Sequence, residues 1–193
     1  GGGSLQMILT WNFSQRDQMN NLNVIDKYKS WEIQQIKQDV QEHTLPYAVL
    51  MQHISGDYNI STLVRNANAF GAQRVYYYGR RKWDRRGSVG THHYTDLVHV
   101  DSLEDIKLLK DKYHVVGVEN NLARSKDISQ FEARPNTLFI FGEEGSGIQK
   151  EILDLCDEVV YIPQRGSVRS LNVGTCSGIV MNDYVNKLNR QNG

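Results

Sequence analysis

The sequence predicts an α/β fold in which a mainly parallel β-sheet is covered by helices. Short, continuous apolar runs such as 47–54, 137–141 and 158–162 are typical of strands that are buried on both sides. These runs alternate with segments whose apolar residues recur at helical spacing, and that alternation is typical of βαβ units. The 193 residues are enough for one domain with a core of its own.

The chain divides into three regions in this prediction. Residues 1–4, Gly-Gly-Gly-Ser, are interpreted as an artificial linker and are left out of the fold prediction. Residues 5–45 are predicted to form an N-terminal helical extension, and residues 46–193 are predicted to form the main domain. Pro46 marks the boundary, because the residue before a proline is pushed out of the helical conformation.

The extension is predicted to contain one amphipathic helix, from Lys27 to Glu42. Ile33, Ile36 and Val40 follow the spacing that places apolar side chains on one helical face. We expect this helix to pack on the outside of the domain. Contact with RNA, or support of a dimer, is the alternative role.

A second amphipathic helix is predicted after the first strand, 47–54. Its apolar face consists of Ile60, Leu63, Val64, Ala67 and Phe70. Asn59 suits the N-cap of this helix, and Gly71 suits its end. Arg65 is expected on the opposite, polar face together with Ser61 and Thr62, because it lies about 140° from Ile60 at roughly 100° per residue.

The other elements follow in the same alternation. Further strands are predicted at 73–79, 97–100, 114–118, 137–141 and 158–162. Further helices are predicted at 103–112, at 148–155 and, after the small-residue run 173–178, up to about Leu188, and 120–127 is predicted to be a loop.

Two loops that follow apolar strands are candidate ligand sites. The loop at 142–147 is rich in glycine but lacks the Gly-Lys-Ser/Thr ending of a phosphate loop and the G-x-G-x-x-G pattern of dinucleotide folds. It lies at the carboxyl end of a predicted parallel strand, where α/β proteins bind ligands. The loop at 163–172 contains Arg165 and Arg169, which suit phosphate or another anion and are therefore predicted to contact RNA. An ordinary strand–loop–helix connection is the alternative for the second loop.

A basic segment at 80–87 is the densest positive patch in the sequence. Lysine and arginine neutralise phosphates, and tryptophan stacks on exposed bases. We therefore predict RNA contact here, with an ordinary solvated loop as the alternative. The residues concerned are Arg80, Arg81, Lys82, Trp83, Arg85 and Arg86. His92 and His93 follow, but adjacent side chains are expected to diverge, so no metal site is predicted.

Composition gives no support for a strongly basic nucleic-acid-binding protein, a metal-binding cysteine cluster or a membrane protein. Lys plus Arg and Asp plus Glu both number 22, so net charge gives no support for a nucleic-acid partner and only a local patch could. Cys156 and Cys176 lack metal-ligand spacing, which favours a reduced, cytoplasmic protein. The sequence has no apolar run of membrane-spanning length and no signal peptide.

Three motifs occur in a fixed order along the chain. They read N-x-x-x-x-x-R-x-x-x-x-F-G at 59–71, F-G-x-E-x-x-G at 141–147 and I-P-x-x-G-x-x-x-S-L-N-V at 162–173. In this order the stretch from about Tyr47 to Leu188 resembles the SpoU/TrmH-like family of SPOUT-class RNA methyltransferases, which use S-adenosylmethionine. The resemblance implies a deep trefoil knot from about Asn136 to the final helix, and an active homodimer whose site lies near the subunit interface.

The resemblance also implies the residues of the site. The cofactor would be held by Val118, Glu119, Gly142, Ile162, Gln164, Ser170 and Leu171. Ser170 and Asn172 would lie at the reacting centre. Arg65 would activate a ribose 2′-hydroxyl, and because its guanidinium stays protonated, we expect that role to be electrostatic. Glu144 could orient Asn59 or Arg65 or receive the proton, whereas Glu143 is the lesser candidate.

The function implied is methyl transfer to a ribose 2′-hydroxyl of tRNA or rRNA. Two alternatives stay open: methylation of a base by a related SPOUT enzyme, and an RNA-binding scaffold without activity. Because the separate N-terminal RNA-recognition domain of many relatives is not seen, substrate choice is expected to come from the N-terminal helix, the 80–86 loop or the C-terminal tail. No metal and no membrane partner is predicted.

Overall fold

The computed structural model of the chain describes residues 24–56, 59–120 and 122–192. The interpreted linker at 1–4 and the extension up to residue 23 lie outside the described residues. So do residues 57 and 58, next to the first motif, and residue 121 within the predicted loop at 120–127.

A parallel sheet forms the centre of the molecule and confirms the predicted α/β class. Within the described residues it contains seven strands, arranged in the order β3-β2-β1-β6-β4-β7-β5, and every neighbouring pair is parallel. The strands are β1 (Leu45–His53), β2 (Ala72–Gly79), β3 (Leu97–Val100), β4 (His114–Val118), β5 (Ser125–Asp127), β6 (Thr137–Phe141) and β7 (Glu158–Tyr161).

Helices cover both faces of this sheet. They are α1 (Ile33–Glu42), α2 (Asn59–Ala69), α3 (Leu103–Leu109), α4 (Lys150–Leu153) and α5 (Val173–Asn192). Side chains of β1 alternate between the two faces, since Val49 packs with α2 and α5 while Leu50 packs with α3 and α4. Burial on both faces explains why the strands read as unbroken apolar runs. Among the described residues, no helix combines the length and the apolar character that crossing a bilayer would require.

The first helix is shorter than predicted. It begins at Ile33 rather than at Lys27, because the side chain of Glu32 caps the helix and Gln35 accepts a hydrogen bond from the Glu32 N–H at 2.9 Å. Ile36 is fully buried in a small cluster with Val24 and Tyr94, whereas Ile33 is exposed. The helix therefore packs on the domain through a narrower apolar face than its sequence indicates.

Helices α3 and α4, on the sheet face away from α2 and α5, are also shorter than predicted. The helix expected at 148–155 begins at Lys150, because the N–H groups of Ile148 and Gln149 donate to the side chains of Glu119 and Gln52 at 3.0 and 2.9 Å. Gln149 consequently keeps an extended conformation. This helix ends at Leu153, where the N–H of Leu155 donates to the Ile152 carbonyl in a tighter turn. The helix expected at 103–112 ends at Leu109, where the chain tightens into turns.

Tertiary contacts lengthen two other elements. The last helix continues past Leu188, which is buried, to Asn192, and Gln191 donates a hydrogen bond to the Ala133 carbonyl at 2.9 Å. The predicted loop at 120–127 contains strand β5, which pairs with β7 at the sheet edge. The prediction of loop alone was wrong here, because three polar residues carry no strand pattern of their own.

Candidate active site

A cleft of about 330 Å³ opens at the carboxyl ends of β4, β6 and β7. This volume lies within the range of about 300–1,000 Å³ that is usual for small-molecule sites. The lining contains every residue that the sequence predicts for the cofactor: Val118, Glu119, Gly142, Ile162, Gln164, Ser170 and Leu171. The fold thus brings together the ends of three strands that are neighbours in space but far apart in sequence.

The lining also contains residues that sequence reasoning missed. Asn120 and Leu122 follow β4 directly, so the rule that ligands bind at strand ends could have found them. Asn120 donates a hydrogen bond to Gln164 at 3.0 Å and joins the loops after β4 and β7. Val173 and Cys176 belong to the first turn of α5. Val173 ends the third motif, whereas no sequence signal indicates Cys176.

The glycines of the second motif are required by close backbone approach. A side chain at Gly142 would place its Cβ 2.2 Å from the carbonyl carbon of Gly147 and 2.4 Å from the nitrogen of Ile148. The loop closes on itself there, since Gly147 N–H donates to the Glu143 carbonyl at 2.9 Å. Gly147 has a φ of 71°, in the left-handed region that favours glycine.

Glu143 is buried below this loop and acts as its anchor. Its carboxylate accepts hydrogen bonds from the Ile54 N–H at 2.6 Å and from the Ser55 hydroxyl at 2.9 Å. Burial alone would raise the pKa of Glu143, but the hydrogen bonds from Ser55 and Ile54 outweigh it and the pKa is lowered. Glu143 therefore ties the second motif to the end of β1, next to the first motif.

Replacing Glu143 should cost stability in a pH-dependent way. We expect Glu143→Gln to lower the free energy of unfolding at neutral pH by about 1–3 kcal/mol. Both oxygens of the carboxylate accept hydrogen bonds, and the amide would replace one of these oxygens with an NH₂ group that faces a donor. A carboxyl whose pKa is lowered by folding stabilises the protein above its unfolded pKa, and that contribution is lost as pH falls through the folded pKa. The wild type should therefore lose stability more steeply than the variant below the ordinary value of 4.5.

Denaturant unfolding of both proteins from neutral to acid pH measures this difference. Glu132→Gln is the matched control, since Glu132 is exposed and accepts no hydrogen bond from the described residues. Parallel stability curves for wild type and Glu143→Gln would contradict the anchoring role.

Three residues predicted for catalysis meet at the start of α5. Asn172 caps this helix, because its side-chain oxygen accepts from the Thr175 N–H at 3.0 Å. One oxygen of Glu144 accepts from the Asn172 side chain at 2.9 Å and from the Val173 N–H at 3.0 Å. A negative charge is favourable at the positive end of a helix. Asn59 is expected from the sequence to cap α2. In the structure its side-chain oxygen accepts hydrogen bonds at the start of α5, from the Asn172 side chain at 3.2 Å and from the Gly174 N–H at 3.3 Å.

Arg65 lies apart from this cleft. It is exposed on α2 as predicted, and its guanidinium forms no hydrogen bond or ion pair with the residues that the structure describes. Ser61, predicted to share its polar face, is only 2% exposed, because it packs against the backbone at Gly87. Arg169 lines the cleft, whereas Arg165 is exposed outside its lining.

Part of the charge in the basic segment 80–87 is already neutralised. Arg81 pairs with Asp101 at 3.4 Å, and Arg86 pairs with Asp84 at 2.6 Å. Arg80 and Lys82 are exposed and form no ion pair with the described residues. Two of the five predicted cations are therefore held by carboxylates, which weakens the attraction that they exert on phosphate.

The tryptophan of this segment has a structural role that the sequence does not indicate. Trp83 is half-buried against the main core, the ring of His92 meets it edge-on at 6.0 Å, and the guanidinium of Arg85 lies 5.4 Å from its ring centroid. These packing contacts give the tryptophan a structural reason to be in this loop. Its placement leaves only part of the indole surface open to a base.

The adjacent histidines also differ from expectation. The rings of His92 and His93 do not diverge but lie 4.0 Å apart, tilted by 41°. Burial, followed by the nearby His93 and Arg85, lowers the pKa of His92 to about 4. Within 24–56, 59–120 and 122–192, no three His, Cys, Asp or Glu side chains cluster in a way that could hold a metal ion.

Comparison with known proteins decides the family. The model of the SpoU rRNA Methylase family matches residues 46–182, well over half of the chain. The chain belongs to the SpoU rRNA Methylase family. The match includes all three motifs and confirms the resemblance that they indicate. It also contains every residue that lines the cleft.

Several proteins of similar sequence have names that state an activity. The chain is 28% identical over 69% of its length to a tRNA (guanosine(18)-2′-O)-methyltransferase of Thermus thermophilus, covering 71% of that protein. It is 22% identical over 77% of its length to the Aquifex aeolicus enzyme of the same name, covering 73% of it. Staphylococcus aureus proteins with a TrmH family tRNA/rRNA methyltransferase name are 27% identical over 79% of the chain, which spans 63% of their length.

Solved structures share the fold at low sequence identity. The A. aeolicus TrmH/SpoU tRNA modifying enzyme superposes with a TM-score of 0.73 at 20% identity, covering 83% of this chain and 84% of that one. The SpoU methyltransferase AviRb from Streptomyces viridochromogenes, crystallised with AdoMet, has a TM-score of 0.68 at 24% identity and covers 80% and 65%. These similarities establish the SpoU-type fold.

Proposed function

We propose that the chain is an S-adenosylmethionine-dependent RNA methyltransferase that acts on a ribose 2′-hydroxyl of tRNA or rRNA. The observation that carries this proposal is the cleft at the ends of β4, β6 and β7, whose lining contains all seven residues that the family resemblance assigns to the cofactor. Family membership and the 2′-O-methyltransferase names of the Thermus and Aquifex relatives support it.

The residues of the cleft fit such a cofactor. Its apolar walls, including Phe141, Ile162 and Leu171, suit an adenine ring, and Gly142 contributes backbone to the lining. Glu144 suits positive charge, and Arg169 suits a carboxylate. S-adenosylmethionine, when bound, supplies a methyl group carried on a positively charged sulfur.

The protein must then orient the ribose hydroxyl and stabilise the charge that develops as its proton leaves. We assign the stabilisation to Arg65, whose guanidinium stays protonated and has no other partner among the described residues. Asn59, Glu144 and Asn172 hold the start of α5 against the cleft, so we propose them as positioning residues. Ser170, exposed in the lining, is left to contact the reacting groups.

Two structural features accompany this proposal. We propose that the segment from about Asn136 to α5 forms the trefoil knot, which the hydrogen bonds between Glu144 and the start of α5 support. We also propose a homodimer, because Arg65 is absent from the cleft lining of its own chain and a second copy could bring it to the site.

Methyl transfer from labelled S-adenosylmethionine to bulk tRNA and rRNA tests the proposed activity. We expect label in RNA, and mass spectrometry of nuclease digests should find it on a 2′-O-methylated nucleoside. Label on a base would instead support a base methyltransferase. RNA binding without any transfer would support the inactive scaffold.

We propose that the basic segment 80–87 contacts RNA, and that its unpaired cations contribute more to RNA binding than those held by carboxylates. Replacing Arg80 and Lys82 with Gln should weaken RNA binding and flatten the slope of log affinity against log salt by roughly 0.7–0.9 for each phosphate that the protein no longer neutralises. The paired Arg81 and Arg86, changed to Gln, form the matched control and should have a smaller effect.

Filter binding across a salt series, with cofactor affinity measured in parallel, gives both quantities. Equal effects of the two double variants would show that the ion pairs of Arg81 and Arg86 do not reduce their contribution to RNA binding. No effect of either would identify the segment as ordinary solvated surface.

A further inference from the structure

Glu119, at the end of β4, offers its side chain rather than its backbone to the cleft. Its N–H donates to the Val160 carbonyl at 3.0 Å, and its carbonyl accepts from the Ser125 hydroxyl at 3.0 Å. The main-chain groups at this strand end are thus occupied within the protein. The carboxylate is the group that remains to contact a ligand, and Glu119 lines the cleft.

The carboxylate of Glu119 is only half satisfied. One oxygen accepts from the Ile148 N–H at 3.0 Å, and the other accepts no hydrogen bond from the described residues. No lysine or arginine of the described chain pairs with it. The absent side chain of Gly147 makes room for this free oxygen, which lies 2.6 Å from where a Cβ would be. Burial raises the pKa of Glu119, as expected for a carboxylate that lacks a compensating partner.

A half-buried acceptor without a partner is costly unless a ligand supplies the missing donors. Ribose hydroxyls are such donors, and a carboxylate at a strand end is the group by which dinucleotide-binding α/β folds recognise ribose. Glu119 is anchored on Ile148, directly after the glycine loop, whereas Glu144 is held at the start of α5. Of these two carboxylates, only Glu144 accepts hydrogen bonds from Asn172 and Val173.

We propose that the Glu119 carboxylate accepts hydrogen bonds from the ribose 2′- and 3′-hydroxyls of the adenosine part of the cofactor, and that it selects ribose over deoxyribose there. The inference rests on the proposed function and assigns a specificity-determining residue to it. Gly147 contributes indirectly, because any side chain at that position would displace the carboxylate.

Calorimetry with S-adenosylhomocysteine and its 2′-deoxy and 3′-deoxy analogues tests this inference. The wild type should bind at least one deoxy analogue about 10–100-fold more weakly, since hydrogen bonds to charged groups are worth about 1.5–3 kcal/mol. Glu119→Gln should weaken binding of S-adenosylhomocysteine to a similar degree and should discriminate less between the parent compound and the analogues. Glu132→Gln, an exposed control, should behave as wild type.

The outcomes separate the two levels of the proposal. A wild type that does not bind S-adenosylhomocysteine at millimolar concentration would overturn both the proposed function and this inference. A wild type that binds the parent compound and both deoxy analogues equally would overturn the inference alone, without needing any variant. The same holds if Glu119→Gln loses affinity equally for all three compounds, because the carboxylate then serves another group, such as the amino group of the methionine part.

Discussion

Arg65→Ala is expected to lower the single-turnover rate of methyl transfer by about 10²–10³-fold, the usual effect of removing one electrostatic donor from a transition state. Cofactor affinity should hardly change, because Arg65 is absent from the cleft lining. The fold should also survive, since the side chain is exposed and forms no hydrogen bond or ion pair with described residues. Single-turnover assays on prebound RNA separate the chemical step from RNA binding.

Asn68→Ala on the same helix is the matched control for this experiment and should leave the rate unchanged. A rate for Arg65→Ala equal to that of the wild type would rule out our assignment. A reduced RNA affinity with an unchanged chemical step would make Arg65 a binding residue only.

Gly142→Ala is expected to weaken S-adenosylhomocysteine binding about tenfold or more. The added methyl group would meet backbone atoms at 2.2 and 2.4 Å, and backbone cannot move aside as the end of a flexible side chain can. Overpacking of this kind costs about 1–3 kcal/mol. Opening the turn would break the pairing of Glu143 with Gly147 and displace the cleft wall.

Gly166→Ala is the matched control for Gly142→Ala. Gly166 lies in the loop after β7, nothing lies within 4 Å of its added Cβ, and its φ is not in the left-handed region. Calorimetry should find wild-type affinity for this variant. Unchanged affinity for Gly142→Ala would show that the close approach of the loop does not shape the cofactor site.

The same two variants test whether the site is shared between subunits. If Arg65 acts on the cleft of a partner copy, a mixed dimer of Arg65→Ala and Gly142→Ala chains has one intact cleft facing one intact Arg65. Mixing the two impaired proteins, with exchange of subunits, should then raise activity above that of either variant alone. If both residues act within one chain, every site in the mixture is defective and activity does not rise.

The cleft was predictable from the sequence for a general physical reason. Ligands bind at the carboxyl ends of parallel strands, and each strand that supplies the cleft is a short apolar run followed by a glycine or a polar loop. Val118, Gly142 and Ile162 could be placed at such ends without knowing the order of the strands. The motifs then supplied Ser170 and Leu171, which follow no strand directly.

The helix ends were predicted poorly because side chains distant in sequence decide them. Gln52 lies 97 residues before Gln149, and its side chain takes the N–H that would otherwise begin α4. Glu119 does the same for Ile148 from 29 residues away. A local pattern contains no information about a partner at that separation, so the prediction extended the helix over both positions.

The sequence by itself determined the α/β class, the main strands, the family and the residue types of the site, because burial on both faces and three ordered motifs are local signals. Only the tertiary structure decided that Asn59 and Asn172, 113 residues apart, share one network with Glu144 at the start of α5. It also decided that Arg65 lies outside the cleft of its own chain and that Trp83 is packed against the core. Side-chain partners depend on how the helices and strands pack against one another, and a local sequence pattern does not predict that packing.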